Sequence, residues 1–160
     1  MTIHAVTVPF PSLAPIVDGV RERTCVSKPS HGVPPHVTLL LPLPDDVEEI
    51  ARTLSRFAPF DVSFAGFGRF PGALWLSPEP AEAFVAMTEA LMAAFPGHLP
   101  YDGAFTVIVP HLTVAQTDLD EAEAELAPSL PLAARATSVA LFEQEEPPDW
   151  RVAATFELEG

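Results

Sequence analysis

The apolar positions change period along the chain, and those changes divide it into strands and helices. Ile3 to Val8 alternates and predicts a first strand. Pro11 to Arg23 sets Leu13, Ile16, Val17 and Val20 at helical spacing, behind a Ser12 suited to cap the helix. Lys28 to Pro35 is rich in Pro, Gly and Ser and reads as a loop, and Pro35 to Leu41 follows as a strand. Asp45 and Asp46 open an amphipathic helix with Val47, Ile50, Ala51, Leu54 and Phe57 on one face; acidic residues there suit the helix dipole. Phe60 to Phe67 alternates, Gly66, Gly68 and Gly72 break it, and Ala73 to Leu76 resumes, so residues 60–77 predict a hairpin. Pro80 to Phe95 carries Phe84, Met87, Leu91 and Phe95 at spacings of three and four, the mark of a third helix. Beyond a loop from Pro96 to Gly103, the pattern predicts a strand over Phe105 to Ala115 and a short acidic helix capped by Asp118. Two last strands, Leu132 to Phe142 and Trp150 to Leu158, flank an acidic, Pro-containing turn.

After the first strand and helix, this order splits into two similar blocks, Pro35 to Leu76 and Phe105 to Leu158, with the helix at Pro80 to Phe95 matching the one at Pro11 to Arg23. The expected fold is a single α+β domain over residues 1–160. It has two antiparallel-sheet lobes with outer helices, related by a pseudo-twofold axis around a central groove.

Composition narrows the function. Nearly half of the 160 residues are apolar, enough for a proper core, and no apolar run reaches the ~20 residues needed to span a bilayer. The first ten residues lack a basic region, so neither a signal peptide nor membrane association is expected, and the expected location is the cytoplasm. Cys25 is the only cysteine, which excludes an internal disulfide. The net charge is −14, with eight Lys and Arg in the whole chain. Affinity for long nucleic acid comes largely from cations displacing counterions, so a long RNA or DNA partner is not expected.

The candidate chemistry lies in a repeat. Pro35-His36-Val37-Thr38-Leu39 recurs as Pro110-His111-Leu112-Thr113-Val114, once in each block. From this composition, two copies of Pro-His-apolar-Thr-apolar would arise by chance in about one chain in 10⁴ to 10⁵. Side chains two apart on a strand share a face, so each copy offers an imidazole and a hydroxyl about 6–7 Å apart on one side. Two such strands face to face would put two imidazoles and two hydroxyls around one volume. With an unperturbed pKa near 6.5, one imidazole can be neutral while the other holds a proton, so a single site carries both base and acid. Hydroxyls fixed on strands stabilise developing charge without reorganising. A zinc site would need a third ligand, such as Asp102, Glu143 or His31, and no cluster has metal spacing; neither metal nor cofactor is expected. Phe70, Trp75 and Trp150 are candidates for stacking on a base, and Arg69 and Arg151 for contact with phosphate.

The duplicated motif strands, 75 residues apart, resemble the 2H phosphoesterase superfamily, and within it the bacterial 2′-5′ RNA ligase or RNA 2′,3′-cyclic phosphodiesterase family. The block from Phe67 to Leu76 is similar to the segment those proteins carry between their motifs. The resemblance implies that His36 and His111 are the catalytic pair, that Thr38 and Thr113 bind phosphate, and that a 2′,3′-cyclic phosphate or related cyclic or 2′-5′ phosphodiester is cleaved. The expected partner is a small phosphorylated nucleotide or an RNA terminus, and the expected state is a monomer. Two other readings stand beside this one: a binding module for a nucleotide or phosphorylated metabolite without turnover, and ligation of 2′-5′ RNA ends.

Overall fold

The computed structural model describes residues 2–99 and 107–160. It contains eight strands and four α-helices in the order β1 (Ile3–Pro9), α1 (Ala14–Thr24), β2 (His36–Leu40), α2 (Val47–Leu54), β3 (Phe60–Phe70), β4 (Ala73–Glu79), α3 (Glu82–Ala94), β5 (Leu112–Ala115), α4 (Leu119–Leu126), β6 (Leu132–Ala136), β7 (Ser138–Gln144) and β8 (Arg151–Glu157), among the described residues. The strands form two antiparallel four-stranded sheets, ordered β2-β1-β7-β8 and β5-β4-β3-β6. The two motif strands, β2 and β5, therefore hold the same edge position in their sheets, and they lie against each other. The expected α+β fold with two sheets and outer helices is what the chain adopts.

The helices exchange partners between the sheets. α1 leaves sheet one after β1 and packs against β5 of sheet two; α3 leaves sheet two after β4 and packs against β2 of sheet one. One continuous core follows, holding Val6, Val37 and Leu39 from the first sheet with Phe64, Leu74 and Val114 from the second. Phe10 joins the halves, edge-on to Phe64 at 5.4 Å and to Phe84 at 6.3 Å between centroids. The sequence blocks are thus not the structural lobes: β3 and β4, read with the first motif, sit in the sheet of the second.

Several sequence expectations need correction. Ser12 makes no capping bond; a 3₁₀ turn at Pro11–Leu13 intervenes and α1 starts at Ala14. On α1, Ile16 is exposed and Arg21 is buried in its place. Asp118 occupies the N-cap of α4 in a left-handed conformation (φ 51°), from which its side chain accepts no capping bond. Asp46 does cap α2, accepting from the Glu49 N–H at 3.1 Å. The second motif strand is shorter than expected: pairing with β4 starts at Leu112, so His111 stands just before β5, and Phe105 and Thr106 of the expected strand lie outside the described residues. The expected strand over Leu132 to Phe142 is two, β6 and β7, which break at Thr137 and enter different sheets.

Gly66 and Gly68 do not end β3 as expected. The strand runs on to Phe70, with a bulge between Phe64 and Gly66, and only Gly72, at φ 77°, makes the turn. Gly68 is directly opposite Trp75, and a Cβ there would overlap the indole ring. That ring is already fixed between Phe70, at 5.1 Å, and His111, at 5.8 Å, and has little room to yield. Gly68→Ala should therefore destabilise the protein by about 1–3 kcal/mol, the usual cost of overpacking. Urea unfolding followed by tryptophan fluorescence checks this, and an unchanged midpoint would contradict the packing.

Candidate active site

Alternation along the two motif strands sorts their side chains. On β2, Val37 and Leu39 are buried in the core while His36 and Thr38 lie partly buried on the other face. At the second motif Leu112 and Val114 are buried, and His111 and Thr113 are partly buried. All four polar side chains line one cavity of about 380 Å³, a size within the usual range for small-molecule sites. Ala5, Thr7 and Phe142 add to its wall from sheet one, and Phe70 and Ala73 from sheet two.

The imidazoles are held alike. His36 Nδ1 lies 2.8 Å from the carbonyl of Pro34, and His111 Nδ1 lies 2.7 Å from the carbonyl of Val109. A carbonyl only accepts, so each Nδ1 carries the proton and donates it, and each neutral ring presents an unprotonated Nε2. In both motifs a proline separates the accepting carbonyl from the histidine, and its fixed φ stiffens this short link. Pro35 is itself anchored, its carbonyl accepting from the Phe10 N–H at 2.7 Å.

Burial pushes the pKa of His36 down to about 4, against the hydrogen bond to Pro34; the charge of Arg21 and the neighbouring His111 lower it further. Burial also lowers the pKa of His111, opposed by the hydrogen bond to Val109. Both rings are therefore neutral in the ligand-free protein at pH 7. His111 packs edge-on to Phe70 at 5.0 Å, with the Trp75 ring 5.8 Å away.

The cation in the cavity wall is one that sequence reasoning missed. Arg21 of α1 is 2% exposed, donates to Asp18 at 2.6 Å, and reaches the carbonyls of Val33 at 2.9 Å and Pro34 at 3.3 Å. The Pro34 carbonyl thus receives both Arg21 and His36, which ties the first motif to α1. The signal was present: Arg21 lies four residues after Val17, on the face of the helix that carries its core-facing apolar positions. Thr7 was missed too. It pairs with Thr38 across β1 and β2 and lines the cavity, and its buried hydroxyl has no hydrogen-bond partner among the described residues. Gln116, five residues after His111, also lines it and accepts from the Val26 N–H at 2.6 Å.

Of the other expected contacts, Phe70 and Trp150 line the cavity, while Arg69 and Arg151 are not among its described lining residues. Arg69 pairs with Asp120 at 2.8 Å and Glu123 at 3.3 Å, which hold its pKa up; Arg151 pairs with Glu143 and Glu145. Trp75 packs behind His111, and Asp102 lies outside the described residues. Cys25 is buried at the wall, where burial raises its thiol pKa. Among the described residues no helix is long and apolar enough to cross a membrane.

Two antiparallel four-stranded sheets bring the two His-x-Thr segments to a common cavity, and the fold is that of the 2H phosphoesterases. The family model of the 2′-5′ RNA ligase superfamily matches residues 9–151, and the chain belongs to that superfamily. Solved structures share the fold. Escherichia coli LigT in complex with NADP+ aligns with a TM-score of 0.63 at 15% identity, over 99% of this chain and 98% of that one. TT0787 of Thermus thermophilus aligns at 0.63 with 23% identity over 99% and 98%. A phosphoesterase structure aligns at 0.61 with 15% identity over 99% of each chain. No curated protein matches the sequence.

The lowered His36 value makes stability depend on pH. The unfolded chain takes up this proton near pH 6.5, the folded protein only near 4. The stability is therefore present above about pH 6.5 and is lost as pH falls from there toward about 4. Urea midpoints measured across this window should fall less steeply for His36→Gln than for the wild type. Equal slopes would contradict the burial of His36.

Proposed function

We propose that the protein is a metal-independent phosphodiesterase that opens a 2′,3′-cyclic phosphate or a related cyclic or 2′-5′ phosphodiester by a two-histidine acid–base mechanism. The observation that carries the reading is the matched pair of Nδ1–H to carbonyl bonds, which leaves both Nε2 atoms as the working nitrogens at one cavity. A cyclic phosphodiester brings one negative charge, which favours protonation of a nearby imidazole. In the complex one ring holds a proton and the other is neutral. The neutral ring takes a proton from water as its oxygen bonds to phosphorus; the protonated ring gives its proton to the ester oxygen as that P–O bond breaks. The site gains and loses one proton, and the product is a phosphate monoester. Thr38 and Thr113 donate to the non-bridging oxygens as charge builds there. The near-symmetry of the two motifs suits an exchange of roles with the direction of reaction, and the two titrations are coupled.

The crystallisation of E. coli LigT with 3′-AMP, with ATP and with phosphate fits a small phosphorylated ligand at such a site. Binding without turnover is the second reading. Preset tautomers on both histidines favour catalysis over it, since binding an anion alone would be served better by permanent cations.

Hydrolysis of 2′,3′-cyclic AMP should persist in EDTA. His36→Ala and His111→Ala should each lower kcat by at least about 10²-fold, and Thr38→Val and Thr113→Val by about 10²–10³-fold, with the circular dichroism of each variant unchanged. Retained turnover in either histidine variant would sink the assignment.

A further inference from the structure

The chain has eight permanent cations, and the structure accounts for each. Among the described lining residues of the cavity Arg21 is the one cation; its carboxylate partner, Asp18 at 2.6 Å, is not among them. Arg69 and Arg151, the cations nearest in sequence to the lining residues Phe70 and Trp150, are each held by two carboxylates. Each of these clusters is therefore net negative, and a phosphate arriving there meets repulsion. Arg23, Arg52 and Arg135 are paired with Glu125, Glu49 and Asp61. Lys28 donates to the Glu22 carbonyl at 2.6 Å, and Arg56 lies 5.6 Å over the ring of Phe57. The segment 100–106 contains no Lys or Arg.

The rest of the described wall is neutral. It is mostly apolar, with Ala5, Val33, Leu41, Ala73, Phe142 and Trp150, and the position after β5 is the amide of Gln116. One anionic group is provided for, between two imidazoles and two hydroxyls. A second phosphate, one nucleotide further along a strand, would find no further cation among the described lining residues and would enter the field of a protein with net charge −14. Oligonucleotide affinity depends on several such neutralised phosphates.

Resting on the phosphodiesterase reading, we infer that the substrate is a cyclic phosphodiester with a single phosphate on one nucleoside-sized group, and not the terminus of an RNA strand. The neutral, partly aromatic wall receives the organic group, and the two imidazoles and two Thr hydroxyls receive the one charge. A chain-length preference follows that is opposite to that of an RNA-end enzyme.

Binding and turnover test this separately. Calorimetry at low salt should show 3′-AMP binding at least about tenfold more tightly than a five-nucleotide RNA ending in the same 3′-phosphate, with the gap narrowing as salt rises and screens the repulsion. In parallel, 2′,3′-cyclic AMP should be hydrolysed with kcat/KM at least about tenfold above that of the oligonucleotide ending in the same cyclic phosphate. Equal or tighter binding of the oligonucleotide, an affinity for it that falls as salt rises, or no binding of 3′-AMP would each overturn the inference. The binding preference without hydrolysis of either ester would support the inference on ligand class and overturn the phosphodiesterase reading instead.

Discussion

The site depends on one small interaction made twice: a histidine ring donates its Nδ1 proton to the backbone carbonyl two residues before it. That bond sets the tautomer, fixes the ring plane and aims the remaining lone pair, so the chemistry proposed for Nε2 is decided by backbone geometry. The fold holds the two bonds in register. β2 and β5 are edge strands lying against each other, and their buried Val and Leu positions lock each strand into its sheet by the same alternation that turns His and Thr outward. A one-residue slip of either strand would send its histidine into the core.

The exchange of helices explains how both halves are joined into one site. α1 covers the sheet of the second motif, yet its Arg21 reaches the loop that carries the first, so the Pro34 carbonyl that orients His36 is braced by a helix packed on β5. The buried guanidinium needs those acceptors, since an unpaired buried charge is costly, and in return it helps keep the neighbouring imidazole neutral. Arg21 therefore helps position the ring and adds to a lowering of its pKa that burial dominates.

Much of this was legible in the sequence. The motif repeat and the α+β order follow from residues with strong local signals, His and Thr at period two and apolar residues at three and four, while the 2H superfamily was legible only through the resemblance of the repeated motif to that family. What was not legible depends on distant contacts. Gly68 reads as a strand breaker until Trp75 is seen lying over it. Leu132 to Phe142 reads as one strand because nothing local records that its halves join different sheets. Arg69 and Arg151 read as candidates for phosphate contact, and nothing local records that each is held by carboxylates from elsewhere in the fold or across a turn. Arg21 could have been found, since a charge on the inward face of a helix announces a buried partner, but helical spacing alone says nothing of which carbonyls it meets.

The central claim is that two preset imidazoles share one phosphate. Long-range ¹⁵N–¹H NMR of the histidine rings during a titration with inorganic phosphate at pH 7 tests it most directly. The account predicts that in the ligand-free protein His36 and His111 both carry their proton on Nδ1, and that phosphate shifts the Nε2 resonances of both together with one saturation curve. An Nε2-protonated tautomer at either residue, or a response confined to one ring, would contradict it.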